Sequence, residues 1–139
     1  MKIIAENLSV EILGSKILTQ VSFQIPDKLF TCILGPNGSG KSTLLRVISK
    51  DAIDYSGDIT DLNINQLSYL PQNLESPPFL SVLEVASLGF YSSNMSKEEK
   101  FRSTLRLLEQ CGIGSIKNRK FTDASAGERQ RAWLAFALA

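Results

Sequence analysis

Nine consecutive residues, Gly35-Pro36-Asn37-Gly38-Ser39-Gly40-Lys41-Ser42-Thr43, limit what this chain can fold into more than any others. They fit the P-loop pattern G-x-x-x-x-G-K-[ST], opening at Gly35 and closing at Gly40, Lys41 and Ser42. Glycines without a Cβ let successive backbone N–H groups curl inward around an anion. A helix beginning near Lys41 adds its unsatisfied first amides and the positive end of its dipole. Lys41 brings a full charge to the β- and γ-phosphates, and Ser42 offers a hydroxyl to Mg²⁺. The flanks agree. Residues 28–34 read as a short, apolar, buried strand, and Lys41 to Lys50 carries Leu44, Leu45, Val47 and Ile48 at helical spacing. Strand, glycine-rich loop and helix in that order predict a pocket for a nucleotide's phosphates.

Around this motif the chain reads as α/β. Lys2 to Val10 and Ile17 to Ile25 look like two further strands, with Gly14-Ser15 and Pro26-Asp27 as turn material. Tyr55 to Asp58 reads as a turn before a short strand around Ile59. Leu67 to Leu70 reads as another strand, stopped by Pro71-Gln72. Past the break at Ser76-Pro77-Pro78 the periodicity becomes helical. Ser81 to Leu88 places Val82, Val85 and Ala86 on one side. Ser96 to Cys111 opens on a Ser96/Glu99 capping box, stops at Gly112, and predicts a buried stripe of Phe101, Leu105 and Leu108. Ser125 to Glu128 repeats S-x-x-E ahead of the apolar run Ala132 to Ala139. On its own it reads first as a helix cap, although a helix start carrying a hydroxyl and a glycine amide is also an anion site.

Composition removes several classes of function. The net charge of +1 gives no electrostatic case for nucleic acid or an anionic membrane. No apolar run approaches the roughly 20 residues of a membrane span, and Met1-Lys2-Ile3-Ile4 leads into a strand pattern rather than a signal peptide. With no histidine, imidazole chemistry is excluded. Cys32 and Cys111 lack metal-ligand spacing, and Cys32 is expected as a small core residue of the strand at 28–34.

With these residues assembled, the chain resembles the nucleotide-binding subunit of an ABC transporter. Gly35 to Thr43 matches that family's P-loop. Leu70-Pro71-Gln72 matches its Q-loop, whose glutamine senses Mg²⁺ and the γ-phosphate. Ala124-Ser125-Ala126-Gly127-Glu128, followed by Arg129-Gln130-Arg131, looks like its signature motif. Residues 79–89 and 130–135 are similar to the ATPases of ferric-siderophore importers, with cobalamin and metal importers close by.

The resemblance implies a RecA-like P-loop NTPase core with N-terminal antiparallel strands and an inserted helical subdomain. It divides as residues 1–73 (core with Q-loop), 74–123 (helical subdomain) and 124–139 (signature motif and helix). It implies ATP and Mg²⁺ as cofactors. Lys41 and Gln72 take the catalytic positions, Ser42 and Gln72 the metal, and Ser125, Gly127 and Glu128 the γ-phosphate held by a partner's P-loop. The implied partners are a second copy, head to tail, and integral-membrane permease subunits, with the chain peripheral on the cytoplasmic face.

The departures also carry expectations. Ile12 stands where the family usually offers an aromatic for adenine. Ala124 and Ala126 replace a leucine and a glycine, and the Ala126 Cβ is expected to crowd an approaching phosphate. Residues 58–66 look short. The family's Walker B strand, with its Mg²⁺ aspartate and following glutamate, its D-loop and its switch histidine would all lie beyond Ala139, so the 139 residues are expected to bind nucleotide and hydrolyse it poorly. A soluble, non-transport ABC ATPase and a non-catalytic fragment are the alternative readings.

Overall fold

The computed structural model describes residues 2–51, 53–60, 67–72 and 74–139. It separates into two compact units, Met1–Leu67 and Ser68–Ala139.

In the first unit, β1 (Ile3–Ile12) and β2 (Ser15–Ile25) form an antiparallel hairpin, and β3 (Ser56–Thr60) pairs antiparallel with the other edge of β1. The order is β2-β1-β3. The hairpin turns on Leu13-Gly14, both at positive φ (50° and 79°), as a twisted two-residue turn requires. On β1 the buried residues are Ile3, Ala5, Leu8 and Val10, a period of two with one extra step. Asn7, at φ 51°, is that step. The strand bulges there, its register with β2 shifts between Ala5 and Leu8, and the apolar face stays turned inward. Two serines bridge the hairpin where it is irregular. The Asn7 N–H donates to Ser22 Oγ, and the Gln20 N–H donates to Ser9 Oγ, each at 2.9 Å. The helix α1 (Lys41–Ile48) adds Val47 to a core of Ala5, Leu8, Val10 and Leu18, while Leu45 points outward.

Gly57 fixes how closely β3 approaches. Its φ is +96°, and a Cβ there would stand 2.6 Å from the carbonyl oxygens of both Glu6 and Asn7, at the β1 bulge. Tyr55 to Asp58 is therefore not the expected turn. The strand already begins at Ser56, because glycine lets the backbone enter the ladder where a side chain could not.

The second unit is helical: α2 (Val82–Ser87), a 3₁₀ turn at Leu88–Phe90, α3 (Lys97–Gln110), 3₁₀ turns at Gly114–Ile116 and Phe121–Asp123, and α4 (Ala126–Ala137). Val82, Val85, Leu108, Ile113, Phe121 and Ala132 are among the residues closing one core. Each α-helix here opens on a complete Ser-x-x-Glu box: Ser81/Glu84, Ser96/Glu99 and Ser125/Glu128. Gly112, at φ 68°, ends α3 as expected. The strip 117–121 runs beside the start of α2. The Val82 N–H donates to the Arg119 carbonyl (3.0 Å), the Leu83 N–H to Lys117 (2.9 Å), and the Phe121 N–H to Leu80 (2.8 Å).

Several expectations are corrected. Residues 28–34 form no strand, and Leu29, Phe30 and Leu34 are 67%, 97% and 86% exposed. An apolar run of this kind is a strand only between hydrogen-bonding neighbours, and among the described residues none runs beside it. Cys32 is accordingly exposed, not core. Leu67 to Leu70 is likewise without regular structure. On α3 Phe101 is half exposed, and the buried line is Thr104 and Leu108, flanked by partly buried Leu107 and Cys111. The Thr104 hydroxyl donates to the Lys100 carbonyl (2.7 Å), so its methyl can face the core at no polar cost. Of the stretch 58–66, residues 61–66 lie outside the described residues, as do Met1, Ala52 and Asn73.

Two measurements check this account. Gly57→Ala combines a strained φ with a backbone clash and should destabilise the chain by about 2–4 kcal/mol, read as a lower urea midpoint at unchanged slope. A midpoint equal to wild type would contradict the close approach. The boxes set a pH dependence. The Ser81 and Ser125 backbone N–H groups and the Ser96 side chain are the largest causes holding Glu84, Glu128 and Glu99 below the ordinary glutamate range. A depressed folded pKa means stability present above the unfolded value, about 4.3, and lost as pH falls through the folded values. The midpoint should therefore decline on acidification below that point, and less steeply in Glu99→Gln. A midpoint that rises there, or an identical slope in Glu99→Gln, would refute this.

Candidate nucleotide site

Glycine conformation builds the loop between Gly35 and α1. Gly38 and Gly40 are left-handed, at φ 82° and 87°. At Gly40 a Cβ would stand 2.7 Å from Leu18 Cδ2 and 3.3 Å from the Ile17 carbonyl oxygen, so the loop leaves the β2 surface with no room for a side chain. The Ser39 N–H donates to the Pro36 carbonyl at 3.3 Å, closing the turn. Lys41 folds back over it, its ammonium donating to the carbonyls of Gly35 (2.9 Å) and Pro36 (2.7 Å). The cation is thus held against the loop by the residues that open the motif.

The start of α1 differs from every other α-helix in the described residues. Its N-cap, Gly40, supplies no side-chain hydrogen bond, and its first turn holds no acidic residue. The other three starts are each closed by a serine hydroxyl and a glutamate carboxylate. The first amides of a helix have no intrahelical partner. Here no side chain caps them, the first helical residue is a lysine, Ser42 is exposed and Thr43 partly so. That donor set fits a polyphosphate. Among the described residues no cluster of three or more His, Cys, Asp or Glu could hold a metal ion. Ile12, at the tip of β1, is 39% exposed.

The remaining candidates belong to the second unit. Gln72 is exposed and lines a groove of about 550 Å³ with Leu70 and Pro71, opposite Ala126, Arg129 and Trp133 of α4. Gln72 and the first turns of α4 are therefore brought together. Ser125 caps α4, its N–H donating to the Glu128 carboxylate (2.7 Å) and its Oγ accepting from the Glu128 N–H (3.3 Å). Ala126 and Gly127 are exposed in the first turn, and a Cβ added at Gly127 would meet nothing within 4 Å. Sequence reading missed Arg119. Its guanidinium reaches Glu128 at 3.3 and 3.4 Å, a pairing between a non-helical strip and a helix nine residues on that no periodicity announces. It also missed the edge-on stack of Trp133 against Phe121 and Phe136, with centroids 5.3 and 5.6 Å apart.

Against known proteins, a family model described as ABC transporter matches residues 18–139. The chain is 36% identical to the hemin import ATP-binding protein HmuV of Chelativorans sp. (strain BNC1), over 96% of this chain and 55% of that protein. It is 37% identical to a probable metal transport system ATP-binding protein of Thermotoga maritima (99% and 57%) and 31% identical to the ferric enterobactin transport ATP-binding protein FepC of Escherichia coli K12 (98% and 51%). Among solved structures, it superposes with TM-score 0.80 on one assigned to a metal-chelate type ABC transporter in an inward-facing conformation, at 25% identity, over 98% of this chain and 54% of that one. The chain spans about half the length of the curated relatives it matches.

The lysine is the site's decisive charge. Lys41→Ala should weaken MgATP binding about 10- to 100-fold, the loss of one charge-assisted contact set, with the thermal midpoint nearly unchanged because its partners are surface loop carbonyls. Calorimetric titration reads the first and a melting curve the second. Equal affinity in the variant would remove the loop from the site.

Proposed function

Because this chain belongs to the ABC transporter family, we propose that it acts as the ATP-binding part of an importer, coupling nucleotide binding at a dimer interface to uptake through membrane permease subunits. In this reading Gly35, Asn37, Gly38, Ser39, Gly40 and Thr43 wrap the triphosphate with backbone amides, Pro36, which has no N–H to give, shapes the loop, and Lys41 neutralises the β- and γ-phosphates. Ser42 and Gln72 are the residues that would hold Mg²⁺, which would supply positive charge to the phosphates. Ser125, Gly127 and Glu128 present the start of α4 to a nucleotide carried by a second copy. The observation that carries the reading is the contrast among helix starts: of the α-helices in the described residues, α1 alone lacks a side-chain cap, and it has a lysine folded over its loop.

The relatives' names point to the cargo. They are import ATP-binding proteins for hemin, metal and ferric enterobactin, so iron chelates and metals are the class we propose here. No helix of the described residues is long and apolar enough to cross a membrane, which agrees with attachment through permease subunits at the cytoplasmic face. The 139 residues hold the phosphate loop, the glutamine and the serine-glycine turn. Hydrolysis needs in addition a group that orients the attacking water, and loss of such a group typically lowers the rate by about 10²–10⁴.

The purified chain should therefore bind MgATP yet release phosphate at least about 100-fold more slowly than a full-length relative. A release rate within tenfold of such a relative, abolished by Lys41→Ala, would show that these residues complete a catalytic site and would overturn the expected poor hydrolysis. Absence of MgATP binding altogether would sink the function itself.

A further inference from the structure

The three Ser-x-x-Glu boxes of the second unit are alike in sequence and unlike in surroundings. Glu84 and Glu99 face solvent and bond their own serines. Glu128 is partly buried, and it alone of the three accepts from an arginine outside its helix, both Arg119 contacts reaching its two carboxylate oxygens. Arg119 is itself anchored. Its N–H donates to the Ile116 carbonyl (2.9 Å), its carbonyl accepts from the Val82 N–H (3.0 Å), and the neighbouring Lys120 bridges to Ser81. The side chain therefore ties the strip docked on α2 to the carboxylate that closes the start of α4. On the other side, the Arg129 guanidinium donates to the Ala124 carbonyl, gripping the residue just before Ser125.

An ordinary cap needs none of this bracing, since Ser81 and Ser96 complete theirs without it. We propose that Arg119 is a positioning residue for the Ser125–Gly127 turn: by fixing the Glu128 carboxylate it sets the direction in which the Ser125 hydroxyl and the first amides of α4 face a triphosphate bound by a second copy. This rests on the composite nucleotide site proposed above. Arg119 acts through Glu128 and touches no nucleotide.

The test separates the two halves of the site. A Ser125→Ala chain supplies only a P-loop, and a Lys41→Ala chain supplies only the α4 turn. The affinity of a fluorescent ATP analogue with Mg²⁺ is measured for the first chain, alone and with an excess of the second. Mixing should tighten binding. Arg119→Ala placed in the α4 donor should then weaken the mixture about fivefold, the scale of one partly exposed ion pair. The same change in the P-loop donor should leave it alone. Arg119→Lys should restore part of the loss, and in a Glu128→Gln donor Arg119→Ala should add nothing further. If mixing does not tighten binding, the composite site fails and the assignment falls with it. If mixing tightens but Arg119→Ala is silent, or weakens both arms equally as a general loss of stability would, the composite site stands and Arg119 has no positioning role.

Discussion

Helix starts must place their first amides somewhere, and this chain answers that demand in two ways. Among the α-helices of the described residues, three starts are closed from within by a serine hydroxyl and a returning glutamate. The fourth, α1, is preceded by glycines that have no side chain to lend. A helix start without a side-chain cap forgoes stability in a protein that binds nothing, about a few tenths of a kcal/mol when glycine stands at the cap. It is an asset where an anion completes it. The lysine beside it makes the same statement in charge, since its partners are carbonyls of the loop and, among the described residues, no carboxylate is bonded to it.

That start is held in place by an antiparallel sheet whose irregularities are specified. The Asn7 bulge keeps four apolar residues of β1 on one face despite a break in alternation. Gly57 lets β3 close against that bulge, and Leu18 meets the α1 loop at Gly40. Each device is local, yet together they decide where α1 begins. A change at Gly57 is thus expected to act on the loop only through the stability of the sheet, which separates it from a change at Lys41.

Local signals were legible in the sequence and non-local ones were not. The P-loop, the hairpin strands, the capping boxes and the Gly112 stop could be read because each is a short pattern whose physics closes within a few residues. Residues 28–34 misled because their apolar character reports a preference for burial, whereas forming a strand depends on neighbours elsewhere in the chain. Thr104 was passed over for Phe101 because hydropathy counts a hydroxyl as polar, and the helix had already satisfied it through Lys100. At the candidate site the glycines, Lys41, Ser42 and Ser125 could be named, but Arg119 could not. Its pairing with Glu128 exists only once the strip 117–121 is laid along α2.

Gly127 shows how structure sharpens a reading that sequence left open. Among the nine glycines, those at positive φ need the conformational freedom, and Gly35, Gly89 and Gly114 lie against atoms a side chain would strike. Gly127 has neither reason, for its φ is not positive and a Cβ there would meet open space. Glycine is a poorer helix residue than alanine, by about 1 kcal/mol in a helix interior, so neither propensity nor packing calls for it at this position. What a bare backbone offers at the exposed first turn of α4 is access for something that approaches from outside. The Ala126 Cβ, expected to crowd that approach, is exposed beside it in the same turn. A cap alone would explain Ser125 and Glu128. It does not call for a glycine between them, whereas the anion proposed to approach from a second copy would.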